Sequence, residues 1–235
     1  MIPRCLVVNG DDFGLSSGTT GGIARAHACG VVTSASLMVR GQAAPAAALY
    51  AQQHPDLAVG LHLDLGEWVW KEDEWTPLYQ VVSPDDAEEV ELEAWCQLDT
   101  FRRLLRRNPT HLDSHQHVHR REPVRTVLLK MADSFNVPLR ECTAAVRYCG
   151  DFYGQTPHGS SLTDAVGVEA LLKLLEALPP GTTELGCHPA THDDMGGMYR
   201  SERCLELQTL CDPRVREALH RDRISLKSFH DLWLR

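Results

Sequence analysis

Short apolar runs and longer helical stretches take turns along this chain, and no other feature limits its folds so much. Residues 5–9 (CLVVN), 31–39 (VVTSASLMV), 57–63 (LAVGLHL), 110–114, 137–140 and 183–187 read as strands. Residues 19–29, 43–54, 85–107, 123–135, 164–178 and 200–211 read as helices, and segments 224–226 and 228–233 close the chain. Several boundaries have a local cause. Gly30 ends a helix in a conformation most residues avoid. Pro55 stops another at His54. The acidic start and basic end of 85–107 suit the helix dipole. Such a βαβα series, with no internal repeat or long linker, predicts a parallel α/β sheet, open or closed, in a single domain over residues 1–235. A chain of 235 residues has the size of many single-domain barrels. Two stretches interrupt the alternation and read as loop insertions: 64–84, which carries Trp68, Trp70 and Trp75, and the Gly- and Tyr-containing 142–161.

In folds of this kind the site gathers at the carboxyl ends of the strands, and the chain meets that demand. Asp11-Asp12, His62, His115 and His188 each end or follow a different strand. Asp-Asp alone suits a turn or helix cap equally well. Adjacent carboxylates also repel unless something positive lies beside them. In a regular strand they would point to opposite faces, whereas Gly10 and Gly14 permit a turn that brings both to one place. Residues 111–119, HLDSHQHVH, hold four of the twelve histidines. Among them His115 is the metal-ligand candidate and Asp113 its orienting partner. His117 is a neighbour of the metal or a substrate contact, and His111 and His119 are structural. Two imidazoles and one carboxylate leave coordination positions open, as catalytic sites do. The parts on offer are Asp12, His62 and His115 for one divalent ion, Asp11 as base and His188 as acid. Exchanging Asp11 and Asp12 leaves this physics almost unchanged. The donor set admits several divalent ions, with magnesium and zinc foremost.

Composition removes other classes. The net charge is −9 and no basic run is present, which argues against nucleic acid as a partner. No apolar run approaches the roughly 18 residues of a membrane span. The N-terminus lacks the apolar core of a signal peptide, so a cytoplasmic location is expected. The eight cysteines form no CxxC pair, which fits free thiols in a reducing compartment rather than a zinc finger. A homo-oligomer stays open.

The blocks VVNGDDFGLS, GVVTSASLMV, GLHLDL, THLDSHQHVH and GCHPA, in that order between Val7 and Ala190, resemble the YdjC-like family of carbohydrate deacetylases. The resemblance implies a distorted (β/α) barrel, similar to a TIM barrel, with a divalent metal held by Asp-His-His. It also implies hydrolysis of the N-acetyl group of an amino sugar or oligosaccharide. Carried over by motif, the ligands fall on Asp12, His62 and His115, the base on Asp11 and the acid on His188. NGDDFG here replaces the family's usual NADDFG.

Sugars lie against aromatic faces. Trp68, Trp70 and Trp75 offer one such wall, and Tyr148, Phe152 and Tyr153 another. With His117, the substrate contacts expected are Trp68, Tyr153 and Arg140, the last alternatively an orienter of Asp11. Two further readings compete. A metal-dependent phosphoesterase needs a cationic grip and often two metals, and the motif blocks hold no Lys or Arg. A non-catalytic sugar-binding protein would have no need of all five polar residues.

Overall fold

The computed structural model describes residues 2–194 and 197–232. Of the closing segment read over 228–233, Trp233 lies outside them. Among the described residues nine strands form: β1 (Arg4–Phe13), β2 (Ser34–Leu37), β3 (Ala58–Leu63), β4 (Gly66–Lys71), β5 (Glu74–Gln80), β6 (Leu112–Ser114), β7 (Val146–Cys149), β8 (Gly181–Cys187) and β9 (Ile224–Leu226). The α-helices are α1 (Ser17–Cys29), α2 (Ala44–Gln53), α3 (Ala87–Leu105), α4 (Val124–Phe135), α5 (Val168–Glu176), α6 (Ser201–Leu210), α7 (Pro213–Arg221) and α8 (Phe229–Leu232). Helix starts follow their side chains. Ser16 and Thr19 make a reciprocal cap on α1, and Asp86 accepts from the Glu88 and Glu89 amides at the start of α3.

Seven strands make one parallel sheet in the order β6-β3-β2-β1-β8-β7, with β9 paired to the first half of β1. Chain order runs from β1 through β2 and β3 to β6, and on through β7 and β8 back to β1, the succession of a barrel rather than of an open sheet with a switch point. From Leu6 to Phe13 every residue of β1 is buried, as expected of a strand covered on both faces. The sheet curls into a half-barrel. Its edge strands β6 and β7 are linked by the chain after Leu139, which bridges to Leu112. One hydrophobic cluster runs through the fold from Leu6 to Ile224. The barrel-like α/β architecture expected from the motif blocks is therefore present as a curled sheet.

Several elements differ from the sequence reading. Residues 64–84 are no loop: β4 and β5 pair antiparallel. Their two-residue turn, Glu72-Asp73, takes left-handed angles (φ 50° and 64°). Hairpins of that type favour Asn-Gly or Asp-Gly, and Pro77 weakens the strand signal further, so neither local signal marks this hairpin. The strand expected over 137–140 reduces to the single Leu139 bridge, and 142–161 contains β7. Helix α7 was not anticipated, although Asp212 caps it and Pro213 opens it. Strand β1 continues four residues past Asn9, through both aspartates.

Candidate active site

That extension of β1 is where the site begins. Against β2, Gly10 pairs with Ala35 and Phe13 with Leu37, so β1 carries one extra residue between them. This bulge, with Asp12 at φ 64°, breaks the alternation that would send Asp11 and Asp12 to opposite faces. A non-glycine residue held there is strained, and such strain concentrates at functional sites. Of the two glycines the sequence pointed to, Gly14 takes a positive φ (91°) and Gly10 does not; Asp12 supplies the other left-handed step itself.

Three side chains from three strands meet beside it. Asp12 Oδ1 lies 2.9 Å from His115 Nδ1 and 3.4 Å from His62 Nε2. Donor atoms of all three residues fall within 4.8 Å of one another, and all three are buried. His62 and Asp113 are register partners on β3 and β6, and His62 Nδ1 donates to Asp113 Oδ1 at 2.7 Å. That bond turns Nε2 towards Asp12 and fixes the tautomer, as carboxylates behind metal-bound histidines do. Burial disfavours charge on His62, yet Asp113 and Asp12 hold its pKa up at about 10. His115 is raised in the same way, chiefly by Asp12 against burial. Burial also opposes ionisation of Asp12, but Arg203 and His115 keep it well below the carboxylate range. The field here favours positive charge, and His115 Nε2 is buried without a partner. Two imidazoles, one carboxylate and an orienting carboxylate behind them fit a divalent ion.

Asp11 occupies a different setting. Arg140 grips it twice, Nη1 to Oδ2 at 2.6 Å and Nη2 to Oδ1 at 2.7 Å, and Asn9 donates to Oδ1 at 2.8 Å. The same guanidinium reaches Asp113 at 2.8 Å and Glu184 at 2.7 Å, tying β1, β6 and β8 together inside the curl. Burial would raise the Asp11 pKa, and Arg140 overrides it, so Asp11 stays ionised. His188, just past β8, places Nε2 3.8 Å from Asp11 Oδ2 and Nδ1 3.9 Å from Glu206 Oε1. Burial lowers its pKa to about 4 despite Asp11 and Asp12, so the imidazole rests neutral.

Asp11, Asp12, His62, His115 and His188 all line one cavity of about 790 Å³, a size that suits a small ligand. Trp68, Trp75, Tyr148 and Tyr153 form its walls together with His117. Trp70 instead packs on Trp75 and His158. Tyr153 stacks on Tyr199, rings parallel at 4.5 Å, and meets His188 edge-on. His117 sits outside the three-residue cluster, its Nε2 3.4 Å from the Tyr148 hydroxyl. Arg140 does not reach the cavity: its side chain is 1% exposed and committed to three carboxylates. Of the two roles read for it, the geometry corrects substrate contact to orientation of Asp11. The β4–β5 hairpin is clamped to the residues after β6, because the Trp68 amide donates to Gln116 Oε1 and Gln116 Nε2 donates to Trp68 O, both at 2.9 Å.

Sequence reasoning missed Arg203, which donates to Asp12 Oδ2 at 2.7 Å, and Glu206, which accepts from the His188 amide and the Tyr199 hydroxyl. A signal existed. In α6 the polar residues Glu202, Arg203, Glu206 and Thr209 recur at helical spacing and all are buried, where an apolar stripe belongs.

Comparison with known proteins gives the family and the fold. Residues 5–221 match the YdjC-like protein family. The chain is 33% identical to a carbohydrate deacetylase of Geobacillus stearothermophilus, over 91% of this chain and 92% of that protein. It is 30% identical to a chitooligosaccharide deacetylase of Serratia marcescens, over 97% and 99%. Among solved structures it resembles a protein of Enterococcus faecalis V583, described provisionally as a cellobiose-phosphate cleavage protein, with TM-score 0.79, 26% identity and coverage of 98% and 99%. A family 4 carbohydrate esterase from Streptomyces lividans shares the fold at TM-score 0.56 and 11% identity, over 96% and 93%. The chain belongs to the YdjC-like protein family.

Proposed function

We propose that this chain is a metal-dependent carbohydrate deacetylase, which hydrolyses the N-acetyl group of an amino sugar or oligosaccharide to the free amine and acetate. The observation that carries it is the convergence of Asp11, Asp12, His62, His115 and His188 on one aromatic-walled cavity. The names of the relatives that align along almost the whole chain support it. Asp12, His62 and His115 would hold the divalent ion, magnesium or zinc. When bound, such an ion polarises a carbonyl and makes water more acidic. Asp11 accepts the proton of the attacking water. Arg140 keeps Asp11 ionised, and because Asp113 and Glu184 share that guanidinium, Asp11 is only partly neutralised by it. His188 starts neutral, so it must gain a proton before it protonates the leaving nitrogen. Asp11 Oδ2, 3.8 Å away, is its nearest acidic neighbour, and a shift of less than about 1 Å brings the two into hydrogen-bond reach. Trp68, Tyr153 and His117 contact the sugar.

The phosphoesterase alternative is weaker in this setting. Arg140 is out of reach of the cavity, and of the arginines that line it Arg203 is committed to Asp12 and Arg120 to Glu141, which leaves Arg121 to meet an anion. A cytoplasmic location is part of this reading, and the eight free cysteines fit a reducing compartment. The test is acetate release from N-acetylated mono- and oligosaccharides with metal stripped and restored. Release that disappears with the metal and returns with it is expected. Full metal loading with no release across the panel would leave only the sugar-binding reading.

A further inference from the structure

A second group of metal-competent side chains lies beside the cavity and shares no residue with Asp12, His62 and His115. His117 and His119 come from the turn after β6, and Glu141 follows Arg140. One donor atom from each lies within 4.8 Å of the others. Two nitrogens in the group are unsatisfied: His117 Nδ1 and His119 Nε2 are buried without a hydrogen-bond partner. The His119 side chain is 0% exposed, and its Nε2 stands 3.8 Å from Glu141 Oε2, too far for a hydrogen bond. Dry, unpaired polar atoms are costly and call for an explanation. The other ring nitrogens already have neighbours. His119 Nδ1 faces Ser114 Oγ at 2.7 Å, and His117 Nε2 faces Tyr148 Oη at 3.4 Å. A partner on one ring nitrogen sets the ring and leaves the other free to ligate.

We propose that His117, His119 and Glu141 form a second cation site, separate from the Asp12 centre, for a divalent ion that favours imidazole. Two nitrogens and one carboxylate suit zinc, cobalt or nickel better than magnesium or calcium. Because the two ligand sets share no residue, this is not the bridged pair of two-metal hydrolases, whose ions sit about 3.5–4 Å apart. Glu141 is at present held by Arg120, whose Nη2 donates to Oε1 at 3.0 Å and whose Nε donates to Oε2. Arg120 is half exposed, so this pair is screened and weak. An ion takes Glu141 from it and ties the turn, where Gln116 and His117 both stand in the left-handed region, to the segment behind Arg140. His117 lines the cavity, so occupation is felt at the substrate's wall.

The experiment counts zinc bound per chain by the metal-stripped protein, with magnesium titrated in parallel. Wild type is expected to bind two zinc ions, Asp12→Ala one, Glu141→Gln one, and the double variant none. Magnesium is expected not to fill the second site. Arg120→Ala removes the competitor and tightens that site by about two- to fivefold, the worth of an exposed ion pair. Glu141 is partly exposed, so its replacement leaves the fold in place, and His119→Gln supplies an independent loss. A single zinc that Asp12→Ala alone removes would overturn the proposal. So would two zinc ions that survive both Glu141→Gln and His119→Gln. Neither result touches the deacetylase reading, which acetate release tests separately.

Discussion

The floor and the wall of the cavity are built on opposite terms. On the floor Asp11, Asp12 and His62, and beneath it Asp113, Arg140 and Glu184, are each at most 4% exposed, and each meets an oppositely charged or imidazole partner. On the wall Trp75 is 48% exposed, and the hairpin that carries it is tied to the turn after β6 through the paired Trp68–Gln116 bonds. The floor is therefore organised before a ligand arrives, which is what electrostatic catalysis requires. The wall is free to differ without disturbing the chemistry, as surface elements carried by a rigid scaffold generally are.

Breaking the floor should have the largest effect. Arg140→Met removes the one cation that Asp11, Asp113 and Glu184 share. Leaving buried charges without their partner costs about 3–5 kcal/mol, and urea unfolding should show a loss of that order. An unchanged midpoint would mean that the network does not hold the floor together. Asp11→Asn is the milder cut, since it keeps the shape and leaves Asp12, His62 and His115 intact. Activity is expected to fall by about 10²–10⁴-fold, the usual worth of a general base, with metal content unchanged. Loss of metal together with activity would move Asp11 into the ligand set, and full activity would remove it as base.

A smaller effect separates the floor from the helix behind it. Burial pushes the Glu206 pKa up to about 8, against the hydrogen bonds from Tyr199 and the His188 amide and the charge of Arg203. The folded chain thus keeps a proton, between the ordinary 4.5 and about 8, that the unfolded chain has released. Its contribution to stability is complete below the lower value and is lost as pH rises through that window, by at most about 1.4 kcal/mol per pH unit. In Glu206→Gln the group cannot titrate, so urea unfolding measured across this range should show a flatter decline than wild type. Equal slopes would show that Glu206 is ionised throughout.

The same contrast decides what the sequence made legible. Asp11, Asp12, His62, His115 and His188 stand at the ends of short apolar runs, and a strand's end fixes where its last residue goes. Their convergence was readable because a parallel sheet aligns those ends. Arg203 and Glu206 left only the polar stripe on α6, which reads as a solvated face until its burial is known, and nothing nearby in sequence marks Glu184. Arg140 was singled out, but only the curl of the sheet shows that it faces three carboxylates rather than the cavity. The left-handed angle at Asp12 and the turn at Glu72-Asp73 hid for another reason. Both use residues that local propensity does not favour there, and tertiary context holds them in place.

The wall should respond least. Trp75→Ala removes an aromatic face that a sugar ring can lie on, worth about 0.5–1.5 kcal/mol, or about two- to twelvefold in KM. Trp68→Ala should behave alike, because its bonds to Gln116 run through the backbone amide and carbonyl and survive loss of the ring. In both variants kcat should stay close to wild type, since uniform binding is lost and the floor is untouched. A parallel fall in kcat would mean that these rings position the acetyl group against Asp11 as well as holding the sugar. The division between floor and wall would then fail at Trp68 before Trp75, because Trp68 is bonded to Gln116, the residue that follows His115.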